Sequence, residues 1–198
     1  MTIKLLMADD HPSFRRVLGS VLSTELDLKI VGEASNGIEA IDKACELKPD
    51  VVIMDLRMPE LDGVKATKAI REAAPEIKVL VLTLFDEADD LFNAMKAGAN
   101  GYLLKSAELD GLVGAIREIA AGNVIITPVL AARILNYYKT ANRRRGFAES
   151  NALTAGQKRG LELVAQGRSI AEIAQGLGVK ENDIKVDLRR ALEKFQAS

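Results

Sequence analysis

The chain has 198 residues, 48% hydrophobic and 28% charged, a balance that fits one large or two small globular domains and excludes a disordered or fibrous chain. Its 27 basic and 28 acidic side chains leave a formal charge of -1, which excludes a uniformly basic, nucleic-acid-coating protein. That near-neutrality is a cancellation: Lys and Arg against Asp and Glu number 14 to 21 in residues 1–132, 5 to 1 in 133–150 and 8 to 6 in 151–198, so an acidic front and a basic back predict two modules with different partners.

The first apolar stretch, Ile3 to Ala8, runs straight into Asp9 and Asp10 without a basic leader, a long apolar core or a cleavage site. No apolar run approaches the roughly 18 residues that a bilayer span needs, so a soluble, cytoplasmic chain with no membrane partner is expected. Similar runs follow at Leu28 to Ala34, Val51 to Met54, Val79 to Leu82 and Gly101 to Leu104, several continuously apolar, as strands buried on both faces require. Helical-period segments separate them, with Phe14, Val17, Leu18, Val21 and Leu22 after the first run and Leu109, Leu112, Val113, Ile116 and Ile119 after the last. The alternation predicts an α/β fold over residues 1–122, a five-stranded, doubly wound parallel sheet of flavodoxin type. Cys45, the one cysteine, has no disulfide partner and no zinc-spaced companions, which fits a reducing cytoplasm, and its helical setting predicts a small core residue.

Residues 123–150 are the predicted linker, helical at first and then polar and basic, with Lys139, Arg143, Arg144 and Arg145 before Gly146 and Ser150. From Leu153 the pattern is all helical. Thr154 caps a segment to Ala165, Gly167 breaks it, Ser169 caps a second segment ending near Gly176 and Gly178, and a third runs from about Glu181 to Gln196. This is the outline of a small all-α helix-turn-helix domain over 151–198.

In an open parallel sheet, reactive side chains gather beyond the carboxyl ends of the strands. Asp9 and Asp10 follow the first predicted strand, Asp55 the third, Thr83 the fourth and Lys105 the fifth. Three carboxylates in one place repel unless a cation lies among them, and few hard oxygen ligands suit Mg2+. Beside such an ion Asp55 is the candidate nucleophile for a phosphoryl group, Lys105 and Thr83 would contact its oxygens, Asp10 would bind the metal directly and Asp9 partly through water. His11, the only histidine, reads as a loop residue.

Asp9-Asp10, the run from Pro49 through Asp55 and Arg57 to Pro59, Asp62-Gly63, Thr83 and Gly101-Tyr102-Leu103-Leu104-Lys105 resemble the receiver domains of bacterial two-component systems. The C-terminal part, with Leu153-Thr154 and Glu172-Ile173-Ala174, is similar to the LuxR-type helix-turn-helix of NarL/FixJ response regulators. The resemblance implies phosphotransfer to Asp55 from a sensor histidine kinase, Mg2+ held by Asp9, Asp10, Asp55 and the backbone carbonyl of Arg57, and a regulator that is no turnover enzyme. It also implies a switch pair, Thr83 and Tyr102, whose hydroxyl moves toward the phosphoryl group while the ring turns inward. Bulky Arg57 and Phe85, two positions beyond Asp55 and Thr83, would slow an attacking water. A dehalogenase-type phosphatase would place a second Asp where Arg57 stands.

Lys185, Val186 and Arg189 match the family's base-reading positions on the third C-terminal segment, and Arg190, Lys180 and Asn182 are placed for DNA backbone contacts. Three features depart from the pattern. Ala155-Gly156-Gln157 stands where the family has Arg-Glu after Leu-Thr, and Asp183 and Asp187 occupy the usual Thr and His positions. Asp183 is placed to cap its helix, whereas Asp187 is expected to face or flank phosphates. The family's fourth, dimer-forming helix has no counterpart before Ser198, so a homodimer on phosphorylation would form through other segments. Two outputs stay open: DNA-binding transcriptional control, or control through protein contacts.

Overall fold

Five apolar runs become strands, β1 (Ile3–Ala8), β2 (Leu28–Ala34), β3 (Val51–Met54), β4 (Lys78–Thr83) and β5 (Gly101–Leu104), all parallel and ordered β2-β1-β3-β4-β5. The structure is a computed structural model that describes residues 2–84, 88–141 and 152–198. Parallel neighbours need long crossovers, and helices supply them: α1 (Pro12–Leu22), α2 (Gly37–Leu47), α3 (Gly63–Ala73), α4 (Ala88–Lys96) and α5 (Leu109–Ala120). Along each strand successive side chains go to opposite faces. Leu5, Met7, Val51, Ile53, Leu80 and Leu82 form one core with Leu18 and Leu22 of α1 and Leu112, Ile116 and Ile119 of α5. Alternate residues, Leu6, Val52, Met54, Val79 and Val81, are also fully buried, and α2, α3 and α4 pack side by side in that order. The strand order reverses at β1, with β2 to one side and β3 to the other, which makes the end of these two strands the crevice of the sheet.

Local chemistry sets the element ends. Pro12 opens α1, Asn36 caps α2 by accepting from Glu39 N at 2.8 Å, and Asp62 caps α3 by accepting from Lys65 N at 2.8 Å. Gly63 is fixed by its neighbour: its N–H donates to the Leu56 carbonyl at 2.8 Å, and a Cβ there would collide with the Asp55 carbonyl. Cys45 corrects the reading of α2. It is exposed, because the buried stripe of that helix runs through Gly37, Ala40 and Ala44.

A second unit comprises residues from Ile126 onward, with α6 (Pro128–Ala141), α7 (Ala155–Ala165), α8 (Ile170–Leu177) and α9 (Glu181–Ala197). Thr154 with Gln157 and Ser169 with Glu172 form reciprocal caps at the starts of α7 and α8, and left-handed Gly178 ends α8. Leu161, Val164, Ile173, Ile184, Leu188, Leu192 and Phe195 make the core. Whereas the sequence sets the helix after residue 123 in a linker, α6 packs on α7, and Tyr137 meets Phe195 edge-on at 5.3 Å between ring centres. The basic cluster Arg143 to Arg145 lies outside the described residues.

Replacing Gly63 by Ala should force the Asp55 backbone to move. Urea denaturation is expected to show a loss of about 2 kcal/mol, within the range for overpacked sites, where a surface-helix Gly→Ala change would stabilise.

Candidate functional site

The ends of β1, β3, β4 and β5 deliver the five expected side chains to one edge of the sheet. Asp9 is 4% exposed, Asp55 5% and Thr83 fully buried, while Asp10 turns partly to solvent. Lys105 follows β5, and its N–H donates to the Thr83 carbonyl at 2.7 Å, which continues the ladder beyond the last strand residue. Its ammonium lies 2.5 Å from Asp55 Oδ2 and 2.5 Å from Asp9 Oδ2. Burial works against this charge, but hydrogen bonds to the two carboxylates outweigh it and hold the Lys105 pKa above the ordinary lysine value.

The remaining oxygens are partly committed. Asp55 Oδ1 accepts from Leu56 N at 2.7 Å, and Asp9 Oδ1 from His11 N at 2.9 Å. Asp10 Oδ1 is buried and accepts no hydrogen bond, although His11 Nδ1 approaches it to 2.6 Å. Asp9, Asp10, His11 and Asp55 each offer a ligand atom within 4.8 Å of the others. Hard carboxylate oxygens, one of them unsatisfied, fit Mg2+ better than a softer ion.

The sequence missed three supports. The Phe14 ring lies 4.5 Å from Lys105 Nζ in a cation–π contact, whereas in the sequence Phe14 is only one position of an apolar stripe. Arg15 donates to the Asp9 carbonyl at 2.5 Å and pairs with Glu33 at 2.9 Å. The loop from β3 to α3, which contains Arg57, is tied to the start of α2: Asn36 Nδ2 donates to Glu60 Oε1 at 3.0 Å, and Gly37 N to the Leu61 carbonyl at 3.0 Å. Glu60 holds a left-handed φ of 63°, so these ties help fix a bend that a non-glycine residue disfavours. The Arg57 side chain reaches toward Asp90 of α4 at 3.5 Å, whereas Phe85 lies outside the described residues. Tyr102, on β5, is buried at 4% exposed.

On α9, Ile184, Leu188, Ala191, Leu192 and Phe195 are buried. Lys180, Asn182 and Arg190 are exposed, and Lys185, Val186 and Arg189 are half-buried. Asp183 Oδ2 accepts from Lys180 N at 3.2 Å, which makes it the acid of its own helix start, as expected.

Residues 5–117 match the response regulator receiver domain. The chain belongs to the response regulators. This response regulator is 38% identical over 196 residues to the response regulator protein VraR of Staphylococcus aureus, across 99% of this chain and 91% of VraR. A LuxR-family two-component response regulator from Aurantimonas sp. SI85-9A1 shares 32% identity and a TM-score of 0.63, across 69% of this chain and 98% of that one. RcsB, solved as two dimers bound to two parallel DNAs, shares the fold at a TM-score of 0.61 and 23% identity, across 99% of this chain and 93% of RcsB. Response regulators are signalling components of two-component systems rather than turnover enzymes, a receiver domain implies a histidine kinase as partner, and receivers bind Mg2+ in an acidic pocket. No helix among the described residues is long and apolar enough to cross a membrane.

A raised lysine pKa contributes stability that is complete below the ordinary lysine value and lost only as pH climbs through the raised one. Stability should therefore show no Lys105 titration from neutral pH to about 10. Lys105→Met should cost about 3 kcal/mol near neutrality, the penalty for stripping a buried charge of its partner. Thermal melts should recover with millimolar Mg2+, which would restore positive charge among the carboxylates.

Proposed function

We propose that this response regulator takes a phosphoryl group from a sensor histidine kinase onto Asp55, and that the modified form dimerises and binds DNA selectively through α9. The supporting observation is the buried Asp55 carboxylate with a buried ammonium 2.5 Å from one oxygen, at the reversal point of the sheet. In the transfer, an Asp55 oxygen forms the new O–P bond as the P–N bond of a phosphohistidine breaks, and the electron pair of that bond returns to the imidazole. Lys105 and the Thr83 hydroxyl receive the charge that gathers on the phosphoryl oxygens. Asp9, Asp10, Asp55 and the Arg57 carbonyl would hold Mg2+, which supplies further charge neutralisation when bound. The Arg57 side chain crowds the approach of water, which favours a long-lived phosphoryl group. Thr83 and Tyr102 pass the change on.

For output, Lys185, Val186 and Arg189 read bases, and Lys180, Asn182 and Arg190 contact phosphates. The likeness to RcsB, a DNA-bound dimer in its solved structure, and to a LuxR-family regulator supports this reading. Asp183 and Asp187 are part of the motive for the alternative, output through protein contacts. Asp183 is engaged at its own helix start, which weakens that motive.

Labelling by a small phosphoryl donor should disappear in Asp55→Asn while circular dichroism stays unchanged. Retained labelling would move the acceptor elsewhere. Anisotropy titrations on genomic fragments should show selective binding that tightens on phosphorylation by about five- to a hundredfold, the usual span of coupled sites. Absence of selective binding in both states would hand the output to protein contacts.

A further inference from the structure

We infer that Asp187 is an internal dock that seats the α9 helix against the first turn of α7, in the space left by the missing side chain of Gly156. Asp187 Oδ2 lies 2.8 Å from where a Cβ on Gly156 would stand, with Asp187 Cγ 3.7 Å from it. Two departures from the family pattern, the glycine that follows Leu153-Thr154 and the acid at the usual His position, are thereby one exchange: the small residue gives the room that the acid fills.

Helix geometry agrees. Residues two apart on a helix point roughly 200° from each other, so Asp187 leaves α9 on the side away from both Lys185 and Arg189. Of the expectation that Asp187 would face or flank phosphates, this geometry replaces the facing part: the side chain points away from the base-reading face. Electrostatics agree as well. The first N–H groups of a helix have no acceptor within it and carry partial positive charge. Thr154 Oγ1 takes the Gln157 N–H at 3.2 Å, and the Asp187 carboxylate stands over the same turn. The contact joins the segment that opens the helix-turn-helix to the helix proposed to read DNA, so it sets the angle of that helix. Asp187 is thus a positioning residue for recognition and makes no DNA contact itself.

The consequence for DNA rests on the reading of α9 as the DNA-contacting helix, whereas the dock itself does not. In the full chain, Gly156→Ala should lower the melting temperature of the helical unit or leave it unchanged. The same change in an Asp187→Ala background should raise it, as Ala normally does in place of helical Gly. Asp187→Asn should speed hydrogen exchange of the Gly156 and Gln157 amides about two- to fivefold, the worth of one charge at a helix end. It should also weaken DNA binding several-fold with no change in the slope of log affinity against log salt.

A melting temperature that rises with Gly156→Ala in the wild-type background, or unaltered exchange in Asp187→Asn, overturns the dock. So does DNA binding that tightens with a steeper salt slope, by about one unit, the signature of an acid facing phosphate. If the wild-type chain binds no DNA in either phosphorylation state, the DNA reading fails, and the melting and exchange measurements decide the dock alone.

Discussion

One ammonium held between two carboxylates governs the receiver unit. Lys105, Asp9 and Asp55 have side chains only 4 to 6% exposed, and charges so far from water are tolerated only when paired. The pairing depends on the sheet. Asp9 lies beyond β1, Asp55 beyond β3 and Lys105 beyond β5, so the strand order, the register and the continuation of the ladder from Thr83 to Lys105 all bear on whether three charges meet. Even so the cluster is unbalanced, because one lysine faces two buried carboxylates with Asp10 beside them. The deficit of positive charge suits this edge to a cation, and the same deficit leaves Lys105 no reason to give up its proton.

The strand-end carboxylates were legible because a parallel sheet sends strand ends to one edge whatever the packing beneath. Polar residues interrupting apolar runs at corresponding places therefore become neighbours without any knowledge of contacts. The supports were not legible for the converse reason. Phe14 reads as one more apolar position in α1, and only the fold shows that its ring lies beside Lys105. Asn36 reads as a cap, which it is, but its amide also holds Glu60, a pairing that depends on how α2 meets the loop after β3.

Helix faces failed in the sequence where they depended on which stripe is buried. In α2 three small residues form the inner stripe, so Cys45, also small and apolar, reads as inward although it belongs to the outer face. In α6 the sequence shows a helix but nothing of what packs on it, so it reads as part of a linker. The aromatic contact of Tyr137 with Phe195, from opposite ends of the second unit in sequence, shows otherwise.

Charge totals misled in a comparable way. The helical domain holds 8 basic and 6 acidic residues, a poor balance for an anionic partner if all six acids were free. Five of the six are placed otherwise. Glu172 accepts from Ser169 N at 2.8 Å at the start of α8, with its pKa held below the usual carboxylate range by that backbone bond and the Ser169 hydroxyl. Asp183 serves the start of α9, and Asp187 stands over the start of α7. Glu162 and Glu193 approach Arg159 and Arg189 one turn away. Three helix starts each engage one acid, so these carboxylates complement the partial positive charge of the peptide dipoles. The potential that α9 presents is therefore set by which acids are engaged and where they point, and a sum over the domain cannot read it.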